Sequence, residues 1–428
     1  MIGIVVSRPD QASVTIGDKL LELADWSNIE DGVYRYGSFE LREFDDLHLE
    51  LDRVADAFED VEYVVFASKH SGDTGPLLSA HFTGNYGAAE YGGSAQELVE
   101  TAPGALKHVI DALDSVAPEQ YEVSMECTHH GPTELGAPGM FVELGSGPEQ
   151  WEDERGAEAV AKAILELDGV EPGHDRTLVA FGGNHYAPQP TRILRETDAA
   201  IGHVAADWSI DEIGDPEANR EVIEKMFERS HTEKAVLDGE WPAVRAVIES
   251  LGYRVVSETW VQETSGVDPE LVATIEAELG QVADGLRFGN HEDPEPTFLD
   301  LPESLIDACA AVDPEATVVA VRANTVAYQT TENGNRVGKR AAVSDQAAYA
   351  ALIDRLIEVL GSEYESVKRE EDTVLAVREV FDPELAKENG VPEGPLFGKL
   401  AAGNSVTVDG ETIEPETVHS RETNRFDV

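Results

Sequence analysis

Cysteine is nearly absent: Cys127 and Cys309 are the only two in 428 residues. Two thiols so far apart build no disulfide framework and no CxxC metal site. Basic residues are scarce as well, 31 Lys and Arg against 85 Asp and Glu, for a net charge of −54. The acid is spread along the chain rather than gathered in a tail, which argues against an acidic-tail binding role. A uniform acidic coat suits a protein hydrated in molar salt, where the Debye length is about 3 Å and self-repulsion is screened. The charge therefore reports a salt-filled cytoplasm and does not exclude a nucleic-acid partner. No apolar run reaches the ~20 residues of a membrane span. The start, Met1 to Ser7, reads as a short buried strand rather than a signal peptide. The expectation is a cytoplasmic protein with no membrane association. A P-loop, a GxGxxG fingerprint and a GxSxG elbow are also missing, which argues against nucleotide-driven chemistry and a serine nucleophile.

What is present is a folded α/β pattern with 41% apolar residues. Buried strands are expected at Ile2–Val6, Glu62–Ala67, Tyr121–Glu126, Met140–Leu144, Thr177–Phe181, Lys234–Leu237 and Tyr253–Val256. Weaker ones are expected at Val33–Phe39 and Leu47–Leu51. Helical spacing covers Asp10–Trp26, Thr101–Val116, Trp151–Leu167, 215–230 and Pro242–Leu251. Strands alternating with helices predict a mainly parallel, mixed sheet flanked by helices. The character changes near residue 262, so 1–261 and 262–428 are expected to be separate domains. The second is a smaller α+β domain, with helices at Asp268–Leu279 and Gln346–Leu360, a strand at Thr317–Arg322, and a loop over Gly285–Pro296. It ends in a hairpin around Asp409-Gly410.

The chemistry gathers at strand ends, where an α/β sheet usually places it. Tyr121–Glu126 runs into Cys127-Thr128-His129-His130-Gly131-Pro132-Thr133-Glu134. Glu62–Ala67 runs into Lys69-His70, and Thr177–Phe181 into Gly182-Gly183-Asn184-His185-Tyr186. His81 and Asn85 come from a fourth stretch. Convergent imidazoles with carboxylates suit zinc, which generates hydroxide or polarises a carbonyl. The same groups also suit a metal-free route, with one His as general base and Asn184 with the Gly182-Gly183 N–H groups binding an oxyanion. Either route hydrolyses an ester or amide. Glu126 suits a metal ligand or a group behind one. Cys127 reads as packed rather than reactive. His203, after Gly202 in an apolar context, suits either a site or a core role. His108 reads as a helix-surface group, and His48, His174, His231, His291 and His419 as solvated.

Four blocks, Ala67–Ser71, Ala80–Asn85, Glu126–Glu134 and Gly182–Pro188, together resemble the archaeal-type D-aminoacyl-tRNA deacylase family, also found in plants. The resemblance spans roughly residues 1–258. It implies a phosphorylase/peptidyl-tRNA hydrolase-like fold and hydrolysis of the ester between a D-amino acid and tRNA, a chiral proofreading step. It implies zinc dependence with two ions, and the blocks nominate His70, His81, His129, His130, His185 and Glu134 as ligands. His129, His130, His185, Thr128 and Asn184 are the catalytic candidates. Lys69, Asn85, Gly131, Pro132, Gly182, Gly183 and Tyr186 are the substrate-binding ones. Compact members of the family end near the equivalent of residue 258. In the extension, Gly390–Leu400 is similar to a segment of tRNA 3′-processing endonucleases, without their His-rich metal motif, so the expected role there is tRNA contact. The acidic surface leaves Lys69, Arg192 and Arg195 as phosphate contacts, in a monomer that reads the acceptor end mainly by shape and stacking. The alternatives are another tRNA-linked hydrolase, such as a peptidyl-tRNA hydrolase, and a non-catalytic tRNA-binding protein.

Overall fold

The apolar run at the N-terminus becomes a fully buried strand, Ile2–Ser7 (β1), as expected of a strand covered on both faces. In this computed structural model, which describes residues 1–428, the chain gathers into two units, Met1–Gly266 and Val267–Val428. β1 leads into Gln11–Leu23 (α1), capped by the Asp10 carboxylate, which accepts from the Ser13 N–H. Ser27–Glu30 (β2), Val33–Tyr36 (β3) and Phe39–Phe44 (β4) follow. The expected strand Val33–Phe39 is thus two, turned on Gly37 at φ +54°. Leu47–Leu51 is not a strand either. Its alternating Leu pattern forms a single 3-10 turn, His48–Glu50, because no neighbouring strand takes up its backbone groups and His48 turns inward instead.

Tyr63–Lys69 (β5), Leu77–His81 (β6), Pro103–Val116 (α2), Glu122–Met125 (β7), Gly139–Gly145 (β8), Pro148–Trp151 (α3) and Glu154–Leu165 (α4) come next. The eight strands make one sheet in the order β2-β3-β4-β1-β5-β8-β6-β7. Its middle, β4-β1-β5-β8, is parallel, while β6 runs antiparallel to β8, with β7 parallel to β6. β5 and β6 therefore arrive from opposite directions. Ser79 pairs with Glu143 and His81 with Phe141, while Phe66 pairs with Phe141 and Ser68 with Glu143. Paired residues share a face, so this sheet carries Ser68, His81 and Glu143 on one face beside Phe66 and Phe141.

A second sheet is wholly parallel. Its elements are Thr177–Gly182 (β9), Pro188–Glu196 (α5), Ala200–Ala205 (β10), Asp207–Ile213 (α6), Arg220–Arg229 (α7), Lys234–Asp238 (β11), Pro242–Ser250 (α8), Arg254–Val256 (β12) and Glu258–Glu263 (α9). The strand order is β10-β9-β11-β12. β10 is hidden in the sequence by Gly202 and His203. Gly202 is needed there, since a Cβ would sit 2.3 Å from the Ser230 hydroxyl.

The second unit holds Pro269–Leu279 (α10), Leu286–Phe288 (β13), Thr297–Asp300 (β14), Glu303–Val312 (α11), Pro314–Ala323 (α12), Ala327–Thr331 (β15), Arg336–Val343 (β16) and Gln346–Leu360 (α13). The strands pair antiparallel as β13-β15-β16-β14. A three-stranded antiparallel sheet (Ser366–Glu370, Thr373–Phe381, His419–Asp427) and a hairpin on Asp409-Gly410 complete it. Two expectations fail here. Thr317–Arg322 is helix, not strand: Asp313 caps it by accepting from the Ala316 N–H, and Pro314 opens it, which outweighs the β-branched run. Gly285–Pro296 is not all loop, since β13 lies inside it.

Candidate active site

Three histidines are fixed by their own backbone. His81 Nδ1 lies 3.1 Å from the Phe82 carbonyl, His129 Nδ1 2.8 Å from that of Cys127, and His130 Nδ1 2.7 Å from that of Gly131. A carbonyl only accepts, so each Nδ1 carries a proton, and Nε2 is the lone-pair nitrogen of each ring in its neutral form. The ligand atoms of these three residues lie within 4.8 Å of one another. The His81 and His129 rings stack with centroids 4.2 Å apart, and His130 meets His129 edge-on at 4.4 Å. The chain arrives there because β6 ends at His81 and the loop after β7 is stitched to both sheets. Glu126 N–H donates to Ala80, Cys127 N–H to His185 and Thr128 N–H to Val204, while Thr83 bridges to His129.

Two buried carboxylates stand beside the imidazoles. Glu126 lies 2.7 Å from His185 Nε2 and 3.2 Å from His70 Nδ1. Glu143, from the face of β8, lies 3.6 Å from both His70 Nδ1 and His81 Nε2. Burial pushes both carboxyls up, but hydrogen bonds from His185 and His70 hold Glu126 well below the usual range, and His70 and His81 lower Glu143. Burial opposes charge on His70, yet Glu126 and Glu143 raise it to about 10. His81 is raised for the same reason, against its burial, by Glu143. Burial, with the neighbouring His81, holds His129 well below 6.5 and His130 at about 4.

Nε2 of His81 is buried without a hydrogen-bond partner, the nearest Glu143 oxygen lying 3.6 Å away. A buried nitrogen left in this way beside a carboxylate calls for a cation or a proton. The donor set of imidazole nitrogens and carboxylate oxygens fits a borderline divalent ion. Besides His81/His129/His130, the groups Cys127/His129/His185 and His70/Glu126/Glu143 each bring three donors within the same 4.8 Å.

The cluster opens into a cleft of about 490 Å³ lined by His70, His129, His130 and His185. His81 lies behind the stack. Lys69 and Asn85 also line the cleft, and the Tyr186 hydroxyl stands 3.4 Å from His70 Nε2. Other nominees lie elsewhere. Glu134 is exposed and pairs with Arg53 at 2.7 Å, held there by a loop that turns outward after Pro132. Thr128 is buried, its hydroxyl 3.0 Å from His203 Nδ1. The Asn184 side chain accepts from the Tyr186 N–H, capping its own turn. Gly182 and Gly183, at φ +98° and +77°, make room for Asp238 of β11: a Cβ on Gly182 would lie 2.0 Å from its carbonyl. Gly131 packs in the same way on the backbone of Gly92 and Gly93, and the Pro132 carbonyl accepts from Thr83. Arg192 and Arg195 are taken by Glu258 and Asp114, each at 2.6 Å.

Cys127 is buried, its thiol pushed up by burial first and Glu126 next, so it is packed as expected. His203 is a core residue. His48, expected in solvent, is buried edge-on to Phe66 and Phe141, with ring centroids 5.6 Å away in each case. Glu143 was missed, although a lone carboxylate inside the apolar run Met140–Leu144 is a signal that could have found it.

An α/β protein that gathers five imidazoles and two buried carboxylates around one cleft has the equipment of a hydrolase. A family model described as D-aminoacyl-tRNA deacylase matches residues 57–256, inside the first unit. A D-aminoacyl-tRNA deacylase of Natronomonas pharaonis is 50% identical, covering 100% of both chains. One of Halobacterium salinarum is 51% identical over 100% of this chain and 95% of its own. A crystal structure titled as a conserved protein of unknown function is 30% identical with a TM-score of 0.57, covering 62% of this chain and 98% of its own. The chain belongs to the D-aminoacyl-tRNA deacylase family, and so is a hydrolase.

Proposed function

We propose that this protein hydrolyses the ester of D-aminoacyl-tRNA with zinc held by His81, His129 and His130. The observation that carries the metal is that His81, His129 and His130 bring one ligand atom each within 4.8 Å of one another, each with its Nδ1 held on a backbone carbonyl. The substrate follows from the family. His70, Glu126 and Glu143 offer a place for a second ion. A bound zinc would supply hydroxide near neutral pH or polarise the ester carbonyl. His185, on the cleft wall, is the general base, oriented by Glu126 behind its Nε2. With no ion in that second place, His70 holds a proton between Glu126 and Glu143, and its Nε2 side faces the Tyr186 hydroxyl, where the leaving ribose oxygen needs one. The mixed sheet with its helices fits a phosphorylase/peptidyl-tRNA hydrolase-like fold. The first unit would carry the chemistry, and the second would contact tRNA.

The test is turnover of matched D- and L-aminoacyl-tRNA in molar KCl, with metal analysis of the same preparation. D-ester hydrolysis with the L-ester spared, abolished by a chelator and restored by zinc, is expected. Full activity in metal-free protein would remove zinc and leave His185 with Glu126. Absence of D-ester turnover would overturn the function.

A further inference from the structure

Exposed apolar side chains are rare on this surface. Seven large ones stand out over the whole chain, and three of them, Leu47, Tyr91 and Trp208, line the one cleft that holds the histidines. Trp208 is 38% and Tyr91 68% exposed. A protein selected for a hydrated acidic coat has every reason to bury or replace an indole at its surface, so clustering at a single opening marks a binding face. The Trp208 and His185 rings are neighbours, with centroids 6.4 Å apart and planes 25° from parallel. The aromatic surface therefore adjoins the imidazole assigned as base.

The same opening holds a cation with no carboxylate partner. The Lys69 ammonium rests over the Trp151 ring at 5.3 Å. The nearby Asp10 carboxylate accepts from the Lys69 backbone N–H at 3.2 Å and from the Ser13 N–H at 3.0 Å. In a chain with 85 acidic side chains, an unpaired lysine next to the active-site His70 is available to an anion. Asp10, Glu90, Glu143 and Glu212 also line the cleft. Lys69 is the one lysine or arginine in that lining, which makes it the place for a phosphate.

Resting on the hydrolase function proposed above, we propose that the cleft mouth is a subsite for the 3′-terminal nucleotide of the tRNA, with its base on Trp208 and its 5′-phosphate on Lys69. The chemistry requires such a neighbour: the scissile ester sits on the ribose of that nucleotide, so its base and phosphate lie one nucleotide's width from the reacting carbonyl. A volume of about 490 Å³ is in the range of small-ligand clefts. Stacking on an indole accepts any base face and survives molar salt, unlike a multi-phosphate contact.

The experiment compares the full-length wild type with Trp208→Leu, Trp208→Phe and Lys69→Gln in molar KCl, with Lys162→Gln on α4 as a surface control. Two readouts are used: KM and kcat for D-aminoacyl-tRNA, and quenching of tryptophan fluorescence by adenosine 5′-monophosphate. Trp208→Leu is expected to raise KM about 10-fold or more, with the loss falling on KM rather than kcat, and to abolish the quenching step. Trp208→Phe should recover most of the KM. Lys69→Gln should raise KM and, with KM measured over a series of KCl concentrations, reduce its log–log salt slope by about 0.7. Wild-type turnover with unaltered KM and quenching in both Trp208→Leu and Lys69→Gln would overturn the subsite. A wild type that shows no D-ester turnover yet is quenched through Trp208 would overturn the hydrolase function and support the subsite.

Discussion

His203 shows how one residue can be conspicuous in sequence and serve the core. Its Nε2–H donates to the Val99 carbonyl at 2.9 Å, and its Nδ1 accepts from the Thr128 hydroxyl at 3.0 Å. That hydroxyl in turn accepts from the Val204 N–H. The ring is neutral and fully satisfied, and burial lowers it to about 4. Between pH 6.5 and 4 the unfolded chain binds the proton and the folded one does not, so this contribution is present above pH 6.5 and is lost as the pH falls toward 4. The shift corresponds to roughly 3 kcal/mol. His48, also lowered by burial to about 4, adds a slope of the same sign. Denaturant unfolding at pH 7 and pH 4.5 should show the wild type losing more stability than His203→Gln over that interval. Equal losses would show that His203 is not held neutral. Sequence alone left His203 open between site and core and placed His48 in solvent, because an isolated His between Leu47 and Leu49 in an acidic stretch carries no trace of the two Phe rings it packs on.

At the scale of the element, the His185 loop depends on how closely β9 and β11 approach. Gly182 combines φ +98° with a Cβ position 2.0 Å from a backbone carbonyl, whereas the corresponding atom on Gly183 meets only the Asp238 carboxylate, at 2.8 Å. A backbone carbonyl within a paired strand cannot retreat, while a side chain at a strand end can. Gly182→Ala is therefore expected to cost more than about 1 kcal/mol, read as a lower denaturation midpoint, and Gly183→Ala less. Equal midpoints for wild type and Gly182→Ala would show that the strand end yields. Most strands of the first unit, β10 aside, and its longer helices were legible because their periodicity is local. The reversal of β6 and β7 was not, since pairing direction depends on partners far along the chain. That reversal brings His70 and His81 to opposite sides of Glu143.

For the whole molecule, charge decides the working conditions. With a net charge of −54, lowering the salt from about 1 M to 0.1 M lengthens the Debye length from about 3 Å to 10 Å and restores self-repulsion. The thermal midpoint should drop as KCl is removed, and a midpoint indifferent to salt would contradict the screening account. The arginines beside the motifs are already paired, Arg192 with Glu258 and Arg195 with Asp114, which leaves few cations for phosphate. The log–log salt slope of tRNA affinity should then correspond to about two or three contacts. A slope of roughly eight would reveal a basic groove.

The amino-acid sequence by itself determined the α/β class, the salt-adapted surface and the four blocks that supply the imidazoles, since these rest on composition, local periodicity and short motifs. The tertiary structure decided which of those groups meet. It set Glu143 against His70 and His81, turned Thr128 toward the core and Glu134 toward Arg53, and gave Gly182 to Asp238 rather than to a substrate. The physical reason is that a side chain's role depends on the direction in which its strand runs and on what that strand pairs with. Both depend on contacts between residues tens to more than a hundred positions apart.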